Sequence, residues 1–151
     1  MKSRGLFIPI ALMALAAPVL AWAALGENAA SVQADQTRMK ATTRIAVSGD
    51  KYTVHEIKTP AGTTVREFVA PGGTVFAVAW KGPVIPDLRQ LLGQYFEPYA
   101  NGKRAERRGH GLLTIHEPGL VVHSRGRMRA FSGRAYIPDI LPPGVTVDEI
   151  Q

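Results

Sequence analysis

The side chains with chemistry to offer in this chain are four histidines and a late run of arginines. His55, His110, His116 and His123 could in principle donate to a metal. None stands in an H-x3-H or H-E-x-x-H spacing, which would set two ring nitrogens on one helical face. For His116 and His123 the reading turns on hairpin register. A three-residue loop, Glu117-Pro118-Gly119, pairs His116 with Leu120 and His123 with Leu113, on opposite faces. A two-residue loop, Pro118-Gly119, places both rings diagonally on one face. The three-residue register stacks Leu113, Ile115 and Val121, so it is the expected one and it separates the pair. No metal ligand set and no cofactor are therefore expected.

Nucleophilic chemistry is no better supported. There is no G-x-S-x-G elbow, and Ser124 beside His123 would point to the opposite face of a strand. The acids are too scattered to form a general acid and base pair. Pro71-Gly72-Gly73 lacks the G-K-[ST] ending of a phosphate loop and reads as a turn. With no catalytic signature, the chain is expected not to be an enzyme.

Charge is the one asymmetry. The whole chain carries a formal +6 with a pI near 10.0. Residues 101–136 hold Lys103, Arg104, Arg107, Arg108, Arg125, Arg127, Arg129 and Arg134 against Glu106 and Glu117, whereas residues 24–100 are nearly neutral and 137–151 are acidic. Arg125, Arg127 and Arg129 are spaced by two, which on a strand makes a row on one face. Arginine matches carboxylate and phosphate in bidentate fashion, so Lys103, Arg104, Arg107, Arg108, Arg125, Arg127 and Arg129 are the candidate partner-binding residues. The alternative is a solvated face whose arginines keep an edge strand soluble.

The elements that must position these groups begin after residue 23. Residues 1–23 show Lys2 and Arg4, an apolar run from Leu6 to Leu20, and Ala21-Trp22-Ala23. That is the order of a secretory signal, with cleavage expected after Ala23. An uncleaved anchor is the other reading, argued against by Pro9 and Pro18 inside the run. Export would set the chain in the periplasm or outside the cell, away from nucleic acid, with no membrane span left after cleavage. It has no cysteine, so it must stand on a hydrophobic core.

Residues 24–41 are Ala-rich, and Asn28 as N-cap with Val32 and Met39 on one face predicts an N-terminal helix. Strands are expected over 42–47, 52–58 and 63–69, the second in an outer position. Residues 74–80 (TVFAVAW) are apolar on both faces and predict a central strand. Pro86-Asp87 opens a helix with Leu88, Leu91, Leu92, Tyr95 and Phe96 on one stripe, and Pro98 with Asn101-Gly102 is expected to stop it. Gly93 is a cost of about 1 kcal/mol that the stripe outweighs. Residues 103–110 read as an exposed loop, and 112–116 with 120–124 as a hairpin. Arg125-Gly126-Arg127 reads as a tight turn, and 128–137 as a strand interrupted near Ser132-Gly133. Residues 138–151 read as a loosely attached Pro-rich acidic tail. The expected fold is α+β, a single domain over 24–137. Its antiparallel sheet of six or seven strands is covered by an N-terminal and a central amphipathic helix.

Several stretches carry a resemblance. The A-L-G start with S-V-Q-A-D at 31–35, Y-T-V-H-E-I at 52–57, V-F-A-V-A-W-K-G-P at 75–83 and P-D-L-R-Q-L-L-G at 86–93 resemble an exported bacterial family, domain of unknown function 2844. The resemblance implies export and one domain, and brings no activity, ligand or catalytic residue. The expectation is an exported, non-enzymatic binding or accessory protein that meets a protein or an anionic envelope component. A metal-binding protein or hydrolase using His116, His123 or His55 is one alternative, and a structural envelope component another.

Overall fold

The computed structural model describes residues 25–29, 32, 37–101, 105–107 and 111–151. The strands are β1 (Thr43–Ser48), β2 (Thr53–Lys58), β3 (Thr64–Val69), β4 (Val75–Gly82), β5 (Ala105–Arg107), β6 (Leu112–Glu117), β7 (Leu120–Arg127) and β8 (Ala130–Tyr136). Between β4 and β5 lie α1 (Leu88–Leu92), a 3-10 turn (Gly93–Tyr95) and α2 (Phe96–Asn101). All pairings are antiparallel, in the order β1-β2-β3-β4-β8-β7-β6-β5. The antiparallel α+β reading holds. The strand β5 comes from the stretch expected to be a loop. The expected N-terminal helix, with its cap, falls largely outside the described residues; within them Asn28 forms an isolated bridge with Thr74.

The strand β4 is central, as its two apolar faces require, and each face is covered by something different. On one side Val78 and Trp80 join Ile57, Val65, Ile115, Val122 and Ala135 beneath Leu91 and Leu92. Leu25 seals the same side, its N–H donating to the Leu91 carbonyl at 3.0 Å. On the other side Phe68, Ala77, Ala79, Val121 and Tyr136 pack with Phe76 and Ile150. A bulge makes this possible: Phe68 pairs with Ala77 and Val69 with Val75, leaving Phe76 as the extra residue. Two consecutive side chains, Phe76 and Ala77, therefore enter the same cluster.

The helical segment ends at Asn101, where Asn101-Gly102 is expected to stop it, but departs from expectation at its start, at Gly93 and at Pro98. Asp87 is the N-cap, accepting from the N–H groups of Arg89 and Gln90, so Pro86 lies outside the helix. At the other end of α1, Gly93 has φ 50 and ψ −121, and the helix stops there after five residues. The apolar stripe does not override this glycine: Gly can take a positive φ without strain, and the chain restarts through a 3-10 turn. Pro98 does not stop the segment, because it sits in the first turn of α2, where its missing N–H is not needed.

The segment 138–151 is not a loose tail. It lies across the second face, with Ile150 fully buried and Leu141, Val145 and Val147 packed beside it. Polar ties hold it: Tyr52 donates to Glu149 at 3.1 Å and Lys51 to the Gly144 carbonyl at 2.5 Å. Arg134 donates to the Val147 carbonyl at 2.8 Å. Thr146 and Glu149 form a reciprocal capping box that shapes its last turn. The expectation fails because the prolines and acids of this segment suggest solvation, while its spaced apolar residues Val145, Val147 and Ile150 carry the contact.

No break occurs at Ser132-Gly133 either, since β8 keeps register with both β4 and β7. Gly133 is there because Trp80 lies over it. An added Cβ would come within 2.2 Å of the indole. The Trp80 Nε1 is buried with no hydrogen-bond partner, so coverage of the sheet outweighs an unmet donor here.

Ile150→Ala should lower unfolding free energy by about 2–4 kcal/mol, the range for truncating a fully buried aliphatic side chain. Urea denaturation measures it, and a change within about 0.5 kcal/mol, as at a surface position, would mean that the segment does not anchor the sheet.

Candidate anion-binding groove

The covering segment spans only part of its face. Beyond its reach the same face is polar, and the sheet register arranges its side chains in rows, because antiparallel partners point to the same side. One row runs Glu56, Arg66, Ala79, Arg134, His123, Thr114. The next runs Lys58, Thr64, Lys81, Ser132, Arg125, Leu112. Across the adjacent strands β3, β4, β8 and β7 this places one cation per strand, Arg66, Lys81, Arg134 and Arg125, in alternating rows. Neighbouring strands are about 4.8 Å apart and the rows about 7 Å, so the cations form a zigzag running across the strands.

The zigzag lines a groove of about 500 Å³ whose wall includes Arg66, Lys81, His123, Arg125, Ser132 and Arg134. A smaller depression of about 210 Å³ adjoins it and shares Arg66, Lys81 and Gln151. Three of the four cations are held in place. Arg66 pairs with Glu56 at 2.8 Å and donates to the Gln151 main-chain oxygen at 2.7 Å. Arg125 donates to Ser132 at 3.2 Å, and Arg134 reaches Val147 from below the surface, with the exposed Asp148 at 3.9 Å. Lys81 is exposed and, among the described residues, makes no ion pair.

Of the residues proposed from sequence, only part meets here. Arg125 and Arg127 both lie in β7 on this face, and the turn expected at Arg125-Gly126-Arg127 is absent. The turn is Met128-Arg129, with Arg129 in the left-handed region at φ 58, so the three arginines do not make one row. Arg107 belongs to β5 and pairs with Leu113. Lys103, Arg104, Arg108 and His110 lie outside the described residues. Arg66, Lys81 and Arg134 are site residues that the sequence reading misses. The alternation of Arg66 with Val65 is legible, but their meeting depends on the pairing of β4 with β8, which local sequence does not specify.

The histidine pair also corrects the expected register. Glu117 pairs with Leu120, His116 with Val121 and Thr114 with His123, so the loop is Pro118-Gly119. The rings stand on one face, 5.8 Å apart at their centroids and nearly perpendicular. His55 is on the opposite face, across from the buried Glu67, and does not join them. Among the described residues no group of three or more potential ligands gathers.

Fold and groove together define a sheet-dominated α+β protein with a basic face and no helix, among the described residues, long and apolar enough to cross a membrane. The chain belongs to the family described as Protein of unknown function (DUF2844), whose model matches residues 21–150. No curated protein and no solved structure matches it.

At the groove edge the His123 imidazole is held below its ordinary value, first by burial, then by the positive charges of Arg134 and His116. The unfolded chain therefore takes up this proton more readily than the folded one, and stability falls as pH drops through about 6.5 toward the depressed folded value. Glu149 is lowered as well, chiefly by its bond from the Thr146 N–H, so its contribution is lost only at more acid pH. Thermal midpoints measured between pH 7.5 and 5.5 should fall less for His123→Gln than for the wild type. Equal slopes would show that His123 is not the group responsible.

Proposed function

We propose that this chain is an exported, non-enzymatic binding protein that holds an anionic partner on the open basic half of its sheet. The observation that carries the reading is the groove itself: a concavity of about 500 Å³ whose floor presents Arg66, Lys81, Arg134 and Arg125 from successive strands. Guanidinium groups already fixed by Ser132, Glu56 and the Val147 carbonyl lose little further freedom on binding, which favours an anion presented to them. Residues 1–23 supply the export half of the proposal, through their basic, apolar and small-residue order.

The two halves separate experimentally. Fractionated cells expressing the full sequence should yield, outside the cytoplasm, a protein whose N-terminal residue is Ala24. Recovery of intact residues 1–23 in the cytoplasm would remove export. For binding, retention on an immobilised carboxylate or phosphate matrix should end at lower salt for the Lys81→Gln/Arg125→Gln variant than for Lys40→Gln/Arg129→Gln. Both pairs remove the same charge, but only the first is in the groove. Neutralising two groove cations should weaken binding by about tenfold or more at low salt. Identical elution of the two variants would leave only net charge and overturn the groove.

A further inference from the structure

We infer that the groove takes a linear acidic polysaccharide, laid across the strands, rather than a single small anion; this rests on the anion-binding reading above. Its dimensions come from the sheet. The lining residues run from Arg66 on β3 through Lys81 on β4, Ser132 and Arg134 on β8 and Arg125 on β7 to Leu112 on β6. Five adjacent strands at about 4.8 Å give a floor roughly 19 Å long. One phosphate or carboxylate touches one or two of these cations. Only a chain with repeated charges meets all four.

The direction of the groove discriminates among polyanions. An acidic peptide gains affinity by adding as a strand at a sheet edge, where backbone groups are free. Here the floor is made of interior strands whose backbone groups pair with neighbours on both sides, so recognition must come from side chains. A single-stranded nucleic acid draws on aromatic platforms for its bases. Beside the His123 imidazole, whose edge-on ring contact is with His116, the groove's one large aromatic side chain, Trp80, is only 2% exposed and packs into the opposite cluster. What the groove offers between its cations is hydroxyl, imidazole and amide: Thr64 and Gln151 in the smaller depression, Ser132 and His123 in the larger. Fixed cations interleaved with hydroxyl-bonding groups suit a polymer that alternates charge with hydroxyls.

The test is calorimetric titration of the mature protein at low salt with a galacturonate ladder: the monomer, a trimer and a chain of about ten units. Further arms are the methyl-esterified chain, which is uncharged, polyglutamate and oligothymidylate. Affinity should rise by at least about tenfold from monomer to decamer, should vanish for the esterified chain, and should fall by about tenfold in Lys81→Gln/Arg125→Gln. Circular dichroism of that variant confirms its fold, since both side chains are exposed. Equal affinity for monomer and decamer would overturn the linear-polymer inference while leaving the anion site intact. Tighter binding of polyglutamate or oligothymidylate would overturn the polysaccharide. No binding of any anion would overturn both this inference and the reading beneath it.

Discussion

The apolar character of β4 on both of its sides is the constraint on which the rest depends. A strand buried on two faces obliges the sheet to be covered twice. The α1–α2 segment and residues 25–29 cover Val78 and Trp80 on one side. On the other, the only cover among the described residues is segment 138–151, which reaches Phe76, Ala77 and Ala79. The bulge at Phe76 concentrates apolar mass at the end of β4 nearest that segment, where burying aliphatic and aromatic side chains stabilises by about 1.5–3 kcal/mol each. Along the same face the sheet changes from Phe68, Ala77 and Tyr136, packed with Ile150, to Thr64, Lys81 and Ser132, which share the polar rows of the groove.

What is legible in the sequence is what depends on one strand or one helix at a time. The two-sided run at 74–80, the alternation in 52–58 and 63–69, and the stripe of Leu88, Leu91 and Leu92 each report a local period, and each element is present. The misreadings fall where a partner decides. Gly133 has the look of a break, and its reason is an indole from β4. For His116 and His123, apolar stacking favours three loop residues only if Leu113, Ile115 and Val121 share a face. In the fold, Val121 faces Tyr136 and Phe76 on the tail-covered side while Ile115 and Val122 face the helices, so that stacking does not exist. The tail's apolar residues are few and interrupted by Pro and Asp, and only the opposing Phe68–Phe76–Tyr52 cluster gives them meaning. Gly93 is the exception, a purely local signal that outweighs the stripe around it.

The candidate site is half legible for the same reason. Positive charge concentrated in 101–136 can be read directly, and it leads to Arg125 and Arg127. Arg66 and Lys81 lie in the nearly neutral part of the chain, and the crossing that sets β8 beside β4 brings them to Arg134. Composition averages over chain distance, whereas a site averages over space.

The arrangement of these cations can be weighed against the plain alternative that they keep an edge strand from pairing. Edge protection works where unpaired backbone groups face solvent. The edges of this sheet are β1 and β5, while Arg66, Lys81, Arg134 and Arg125 sit on β3, β4, β8 and β7, each flanked on both sides. The zigzag keeps these like charges diagonal and never directly opposite, which softens their repulsion without removing it. The compensations are modest. The Arg66–Glu56 pair is more than a third exposed on both partners, and such pairs are worth about 0–1 kcal/mol. The Asp148 carboxylate near Arg134 is almost wholly exposed at 3.9 Å. Solubility would be served as well by lysines scattered over any face, with no need of one per strand in register. Arg66 and Arg134 also tie down segment 138–151 through the Gln151 and Val147 main-chain oxygens, but Lys81 and Arg125 sit on interior strands where neither that anchoring nor edge protection accounts for a cation. An anion bound only by the folded state would offset, by mass action, the repulsion that remains, which is the physical ground for the function we propose.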